Sequence, residues 1–299
     1  MSMMSPSRVA SFARKFAVSS ALVASLGVSL GVAANPQSLH DLLPTEIKNT
    51  NVLNVVTDAK WPPFTFVGED GKTLQGFEVD LLNAIGAKLG VDIKQTSIEF
   101  SGMIPGVQAN RYDIAMMAVS DTPERRKTLS FVDYAYLTQG AFVLVDSQDT
   151  PVELSSLCDK TVGLQSGTNF VDFIEKDFSK YCTALGKPVP KKLEFASADA
   201  VYLSLYSGRV DFIVAATSIA GDVSAKAPRP VQVVTGDVFP KDLIGIAYLK
   251  DRTQLGEAIL AGLKAIQADG TYDSILKKWN VETMALPAPG INLGALQEQ

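Results

Sequence analysis

The stretch Tyr112-Asp113-Ile114-Ala115-Met116-Met117-Ala118-Val119-Ser120-Asp121-Thr122-Pro123-Glu124-Arg125-Arg126 carries most of what the sequence says about the fold. Its first half, Tyr112 to Val119, is almost wholly apolar and predicts a strand covered on both faces, as in a parallel sheet packed between helices. Thr122 then reads as a helix N-cap and Pro123 as the first helical residue, which sets Glu124, Arg125 and Arg126 over the positive pole of the helix. Glu124 suits that position and the arginines do not. An arginine beside unpaired backbone N–H groups, just past a strand ending in Ser120, predicts a place that favours an incoming anion. The competing reading is a solvated surface arginine. Arg126, about 100° around the helix from Arg125, is expected to be such a solvated charge.

Working outward, strand and helix patterns alternate. Val52 to Thr57 reads as a buried strand that Trp61-Pro62-Pro63-Phe64 prevents from continuing, and Glu69-Asp70-Gly71-Lys72 as a turn. Phe77, Leu81, Leu82, Ile85 and Leu89 recur at helical spacing up to the stop at Gly90. A strand from Val91 to Thr96 and a short helix from Ile104 to Ala109 follow. After Phe142 the same grammar restarts: strands at Thr161 to Leu164, Leu193 to Phe195 and Val210 to Ala215, with helices at Thr168 to Tyr181 and Ala198 to Tyr206. Arg111-Tyr112-Asp113 and Arg209-Val210-Asp211 each precede an apolar strand, an internal echo that suggests two related lobes. The chain closes with a strand from Ile244 to Leu249, a helix carrying Leu255, Ile259, Leu263 and Ile266, and a last helix carrying Tyr272, Ile275, Leu276 and Trp279. Alternation of this kind argues for an α/β fold with parallel strands.

With 299 residues, 46% of them hydrophobic, the chain has apolar material for a core divided between two domains. Residues 1–34 read as a signal peptide, with Arg8, Arg14 and Lys15 at a basic start, an apolar stretch from Phe16 to Val32 and a cleavage site after Ala34. Serines interrupt that stretch and keep it short of a comfortable membrane span. Cleavage would remove three positive charges and no negative ones, taking the formal net charge from −5 to −8. Nucleic acid is therefore excluded as an expected partner. In an exported protein Cys158 and Cys182 can pair or stay as free thiols, and the expected antiparallel return of the helix from Thr168 towards Cys158 favours the disulfide. No metal site is expected, since His40 is the only histidine.

Ligands of open α/β sheets bind beyond the carboxyl ends of strands. Those ends here present Thr57, Asp58 and Trp61, then Ser120 and Arg125, then Gln165-Ser166-Gly167-Thr168-Asn169, a candidate anion nest. Each has an ordinary alternative: Ser166 or Thr168 as a helix cap, Trp61 as packing, Asp58 as a turn residue. No catalytic set is visible. There is no Gly-x-Ser-x-Gly elbow, phosphate loop or dinucleotide fingerprint, and no cofactor is expected. Glu78 and Asp80, two apart, point to different helix faces and read as a solvated surface.

On these residues the chain resembles the family 3 extracellular solute-binding proteins of ABC transporters, which bind polar amino acids. The resemblance runs from about Leu53 to Trp279 through Trp61-Pro62-Pro63-Phe64, Gly76-Phe77-Glu78-Val79-Asp80-Leu81, Ile104-Pro105-Gly106-Val107, Thr122-Pro123-Glu124-Arg125-Arg126, Phe131, Gln165-Ser166-Gly167-Thr168, Gly208-Arg209-Val210-Asp211 and Gly270-Thr271-Tyr272. Leu157-Cys158-Asp159-Lys160 with Cys182 is similar to some members and supports the disulfide.

The resemblance implies a periplasmic binding protein-like α/β fold: two lobes joined by two crossings, near Leu137 to Ala141 and Pro240 to Ile244, with the ligand cleft between them. Its expected divisions are a signal peptide (1–34), a polar lead-in (35–50), lobe 1 (51–138 with 245–285), lobe 2 (139–244) and a C-terminal tail (286–299). By the same resemblance Arg125 would clamp a ligand carboxylate, with Ser120, Thr168 and nearby backbone of Ala118 and Ser166 completing its hydrogen bonds. Trp61 and Phe100 would sandwich the ligand side chain, and Asp58 would meet a polar or cationic end. Members that bind α-amino acids usually carry an acid for the ammonium where this chain has Ala216, so Asp58 or Thr217 would have to hold the amine, or the solute is not a standard α-amino acid. The expected function is a periplasmic, monomeric, non-enzymatic receptor that delivers a small carboxylate-bearing solute to an ABC permease. A dehydratase on the same fold and a ligand-presenting sensor are the alternatives.

Overall fold

The computed structural model describes residues 39–146 and 152–296; the expected leader and its cleavage site lie outside them. From the N-terminal side, α1 (Thr45–Thr50) precedes β1 (Val52–Thr57). A three-stranded meander of β2 (Lys60–Trp61), β3 (Thr65–Val67) and β4 (Leu74–Gln75) leads to α2 (Phe77–Leu89), β5 (Asp92–Ser97), α3 (Met103–Gln108) and β6 (Ile114–Ala115). One long strand, β7 (Leu129–Leu144), carries the chain onward to β8 (Thr161–Gln165), α4 (Asn169–Phe173), α5 (Ser179–Ala184), β9 (Lys191–Phe195), α6 (Ala198–Tyr206), β10 (Phe212–Ala216), α7 (Ala220–Lys226) and β11 (Val231–Val234). The chain returns through β12 (Lys241–Leu249) and ends in α8 (Thr253–Ala268), α9 (Thr271–Lys278) and β13 (Ala285–Ile291).

These strands form two α/β lobes with one plan. In the first, β1 lies between β5 and β6, parallel to both, and β6 borders β12 antiparallel. In the second, β8 lies between β9 and β10, parallel to both, and β10 borders β7 antiparallel. The echoed aspartates do the same work in each lobe. Asp113 Oδ2 accepts the Asn54 N–H at 2.9 Å while its own N–H donates to the Asn54 carbonyl, also at 2.9 Å. Asp211 Oδ2 accepts the Thr161 N–H at 2.7 Å and its N–H donates to the Thr161 carbonyl at 2.8 Å. Each aspartate thus ties the start of a third strand to the start of a first, which explains why the motif occurs twice.

The two crossings are strands, not loops. β7 pairs with β12 from Leu129 to Thr138 and with β10 from Gln139 to Val143, so one strand belongs to both lobes. The sequence reading missed this strand, because Ser130, Asp133, Thr138 and Gln139 interrupt any regular apolar pattern along it and it carries no break where it changes lobe. Two other expectations change. The strand expected from Tyr112 to Val119 is laddered only at Ile114 and Ala115, because Ala118 adopts a left-handed φ of 45° and turns the chain away. The helix expected from Thr122 is a single 3₁₀ turn, Arg125–Lys127, since β7 begins two residues later.

The polar lead-in is partly core: Leu39, Leu43 and Ile47 are buried, and His40 Nδ1 lies 2.9 Å from the Leu89 carbonyl at the end of α2. The expected C-terminal tail is structured as far as Leu296, the last residue described. β13 pairs with β7, and the Leu293 and Gly294 N–H groups donate to Asp133 and Asp121.

Cys158 and Cys182 form a disulfide with Cα atoms 5.7 Å apart. It closes a loop of sequence separation 24 that contains β8 and α4. Closing a loop of that size stabilises by about 3 kcal/mol through the unfolded chain. Cys158→Ser with Cys182→Ser is expected to lower the unfolding free energy by about 2–4 kcal/mol, measured by urea denaturation; an unchanged midpoint would refute the estimate.

Candidate functional site

The carboxyl ends of β1, β6, β8 and β10 converge between the lobes and bring the sequence-predicted residues together. Asp58, after β1, is fully buried. Its Oδ2 accepts the Phe100 N–H at 3.2 Å and Gln165 Nε2 at 3.1 Å, so a first-lobe carboxylate is held by a second-lobe amide. Its Oδ1 and the Gln165 Oε1 have no partner. Burial raises the Asp58 pKa against the opposing pull of Gln165 and Lys60. Trp61 meets Tyr202 of α6 edge to face, centroids 5.8 Å apart, and its Nε1 is buried without a hydrogen bond.

Arg125 spans the cleft. Its guanidinium donates to the Ser120 carbonyl at 2.9 Å and to the Gly167 carbonyl of the second lobe at 3.0 Å, and it stands 5.9 Å from the Phe100 ring centre. No carboxylate forms an ion pair with it among the described residues. Desolvation lowers its pKa to about 10, opposed by the fields of Asp242 and Asp172. The cation is therefore destabilised by its surroundings and hydrogen-bonded to carbonyls rather than to a carboxylate, which is the state an incoming carboxylate would relieve. Thr122 Oγ1 accepts the Arg125 N–H at 3.3 Å, so the cap exists, but on one turn the macrodipole contributes little. What sets Arg125 apart electrostatically is therefore the desolvation of its side chain and not the pole of a helix.

Gly167 permits this approach. Its φ is +83°, and a Cβ there would stand 3.1 Å from Ser101 Cα across the cleft. The neighbouring nest is less open than its sequence suggests. The Ser166 N–H donates to Phe195 within the sheet, and the Thr168 hydroxyl donates to the Gln165 carbonyl at 2.7 Å. Ser120 Oγ is buried with no hydrogen bond of normal geometry, though it still favours the charged form of Asp242. Thr217 Oγ1 is bonded to Thr138 on β7.

Between the lobes a cavity of about 20 Å³ is walled by Trp61, Phe64, Phe100, Met117, Leu137 and Phe170. Ala118, Thr168, Asn169 and Ala216 complete it. That volume suits about one water molecule, so a larger solute enters only if the lobes part.

Two expectations about charged residues are corrected. Arg126 is not a solvated charge: Nη1 pairs with Asp121 at 2.7 Å, and the side chains are 12% and 0% exposed. Asp121 is itself next to Asp133, whose pKa is raised by burial and by that neighbour, and the backbone at Gly294 comes so close that a Cβ would lie 2.7 Å from the Arg126 guanidinium. Glu78 is not on a solvated face either, being 0% exposed. It accepts the Ala118 N–H at 2.8 Å, the Thr65 hydroxyl at 3.1 Å and the Tyr134 hydroxyl, and so holds the strained Ala118 that lines the cavity. Asp80 does face outward, to Lys278 and Trp279. The residues that sequence reasoning missed are Gln139 and Asp242. Nothing local marked them, since β7 also carries Ser130, Asp133 and Thr138 and β12 also carries Lys241.

The family model for bacterial extracellular solute-binding proteins, family 3, matches residues 53–282. The chain belongs to this family. It is 26% identical over 254 residues to the arginine-binding protein ArgT of Corynebacterium glutamicum, covering 85% of this chain and 82% of that one. It is 28% identical to the L-cystine-binding protein TcyJ of Escherichia coli, covering 87% and 94%. Among solved structures, an ancestral arginine-binding protein bound to arginine aligns with a TM-score of 0.67 at 32% identity, covering 77% of this chain and 98% of that one. An ancestral amino acid-binding protein described as a precursor of cyclohexadienyl dehydratase aligns with a TM-score of 0.67 at 30% identity, covering 78% and 97%. Like these relatives, the chain is a solute-binding protein with the periplasmic binding protein-like fold.

Burial raises the Glu78 pKa from 4.5 to about 7, its three hydrogen bonds opposing the shift. Between those values the folded protein binds a proton that the unfolded chain has released, so this group's contribution to stability falls as pH rises through that window and levels off above it. Glu78→Gln is expected to lose that slope. Relative to wild type its unfolding free energy should gain about 3 kcal/mol between pH 4 and pH 8, read from urea titrations at each pH; parallel profiles for the two proteins would contradict the assignment.

Proposed function

We propose that this family 3 solute-binding protein is the receptor of an ABC importer for an amino acid or a close derivative, held by its carboxylate on Arg125. The observation that carries the reading is the desolvated Arg125 guanidinium, which reaches carbonyls of both lobes and has no carboxylate partner among the described residues. A solute carboxylate would replace those carbonyls with a bidentate, charge-assisted pair, and Thr168 and the Ser120 hydroxyl stand beside it. Trp61 and Phe100 flank the body of the solute. Asp58 Oδ1 and Gln165 Oε1, both buried acceptors without partners, would take donors at its far end. The arginine-binding relative, whose ligand ends in such donors, supports this orientation.

The lobes are assigned as 51–138 with 245–285 and 139–244, and the change of β7's partner strand between Thr138 and Gln139 supports that division. Bending at β7 and β12 would open the cleft, and closure on the solute would present both lobes, as a monomer, to the permease. Relatives named periplasmic, such as the histidine-binding protein of Escherichia coli, support export with cleavage after Ala34.

A solute that binds only the folded form raises apparent stability. Thermal-shift screening of amino acids, their derivatives and organic acids is expected to find stabilisation by carboxylate-bearing members. Arg125→Ala should remain folded and lose about 2–5 kcal/mol of binding, or about thirtyfold to several-thousandfold in Kd by calorimetry. Retained affinity would remove Arg125 from the site, and turnover of prephenate would favour an enzyme.

A further inference from the structure

A solute with a carboxylate and an ammonium on one carbon needs an anionic acceptor within a few ångströms of Arg125, because a buried ammonium without one is costly. The end of β10 offers only Ala216. Its antiparallel partner is Gln139 on β7, and directly paired residues put their side chains on the same face of a sheet. Gln139 is buried; its Nε2 donates to Asp242 Oδ2, while its Oε1 has no partner. Asp242 Oδ2 also accepts Asn169 Nδ2 at 2.6 Å, from the start of α4 where Asn169 lines the cavity. A carboxylate from the second crossing is thus held beside Ala216 by an amide of the first crossing and an amide of the second lobe.

Arg125 and Asp242 feel each other's charge without forming an ion pair, since the guanidinium is turned to the carbonyls of Ser120 and Gly167. Separate positive and negative groups, with the Ser120 hydroxyl beside Asp242 and the unpartnered Gln139 Oε1 among them, match a zwitterion. The other acids near the cleft are differently used. Glu78 is occupied by three donors, Asp58 sits with Phe100 and Gln165 at the end of β1, and Asp172, whose field also reaches Arg125, is paired with Lys176 at 2.8 Å. We infer that Asp242, positioned by Gln139 and Asn169, accepts the ammonium of the solute in the place that Ala216 leaves uncharged. Burial raises the Asp242 pKa, and an ammonium would offset that cost. This inference rests on the receptor reading, and it makes the solute a zwitterionic α-amino acid.

The test is calorimetry with L-arginine, L-histidine and L-glutamine, each against its des-amino counterpart: 5-guanidinopentanoate, imidazolepropionate and glutaramate. Wild type should bind at least one amino acid about thirtyfold or more tighter than its counterpart, the size expected for one buried charged contact. Asp242→Asn should close that gap by weakening the amino acid alone, and Ala216→Asp added to it should restore the gap. Asp242→Ser gives the same reading should the amide disturb folding. A gap that survives in both variants places the ammonium elsewhere, as at Asp58, and overturns the inference. Equal weakening of both compounds makes Asp242 a latch between lobes and overturns it too. If a des-amino acid binds wild type as tightly as its amino acid, the inference fails while the carboxylate site stands; if none of the six binds, the receptor reading fails with it.

Discussion

The antiparallel ladder between β7 and β12 is the constraint on which the rest depends. It runs from Leu129 paired with Leu249 to Thr138 paired with Lys241, after which β7 alone continues into the second sheet. Backbone hydrogen bonds along two adjacent strands fix the strand register where the chain passes between the lobes. The irregularity at Ile244 and Gly245 lies within this ladder, and Ser120 forms an isolated bridge to Ile244. The strand that joins the lobes is therefore anchored beside the residues that would hold the solute.

Charge is distributed around this frame in a consistent way. Arg125, Asp58 and Asp242 each lie in surroundings that disfavour their charged forms, and each is held by uncharged donors or acceptors from the opposite lobe or from a crossing strand. Closing the lobes buries these groups and strengthens any interaction they make, as expected in a low-dielectric cleft. Arg126 has a different task. Its pair with Asp121, next to Asp133 and the Gly294 backbone, fastens the segment around Leu293 and Gly294 against β7. Two arginines adjacent in sequence thus serve a cleft and a structural cluster.

Much of the fold was legible in the residues. The helix at Phe77–Leu89 is legible from apolar spacing and a glycine stop, because those signals are local, and the helix expected at Ala198–Tyr206 is present with those bounds. The echoed Arg-x-Asp segments pointed to two lobes, and the paired roles of Asp113 and Asp211 give the echo its physical cause. Elements that depend on long-range pairing were not legible. β7 has no internal break, β13 contains two prolines at a sheet edge, and the turn at Arg125 is short because the chain must enter β7.

The sequence by itself determined an exported-type α/β chain, a family resemblance, the pair of cysteines and an arginine suited to an anion, because residue type and spacing are enough for each. Only the tertiary structure decided that Arg125 is charged in a desolvated cleft while Arg126 is bound to Asp121, and that Glu78 is buried rather than solvated. It also set Asp242 beside Ala216 through Gln139, residues 26 positions apart on one side and far apart on the other. Burial and proximity are sums over segments distant in the chain, and no local pattern contains them.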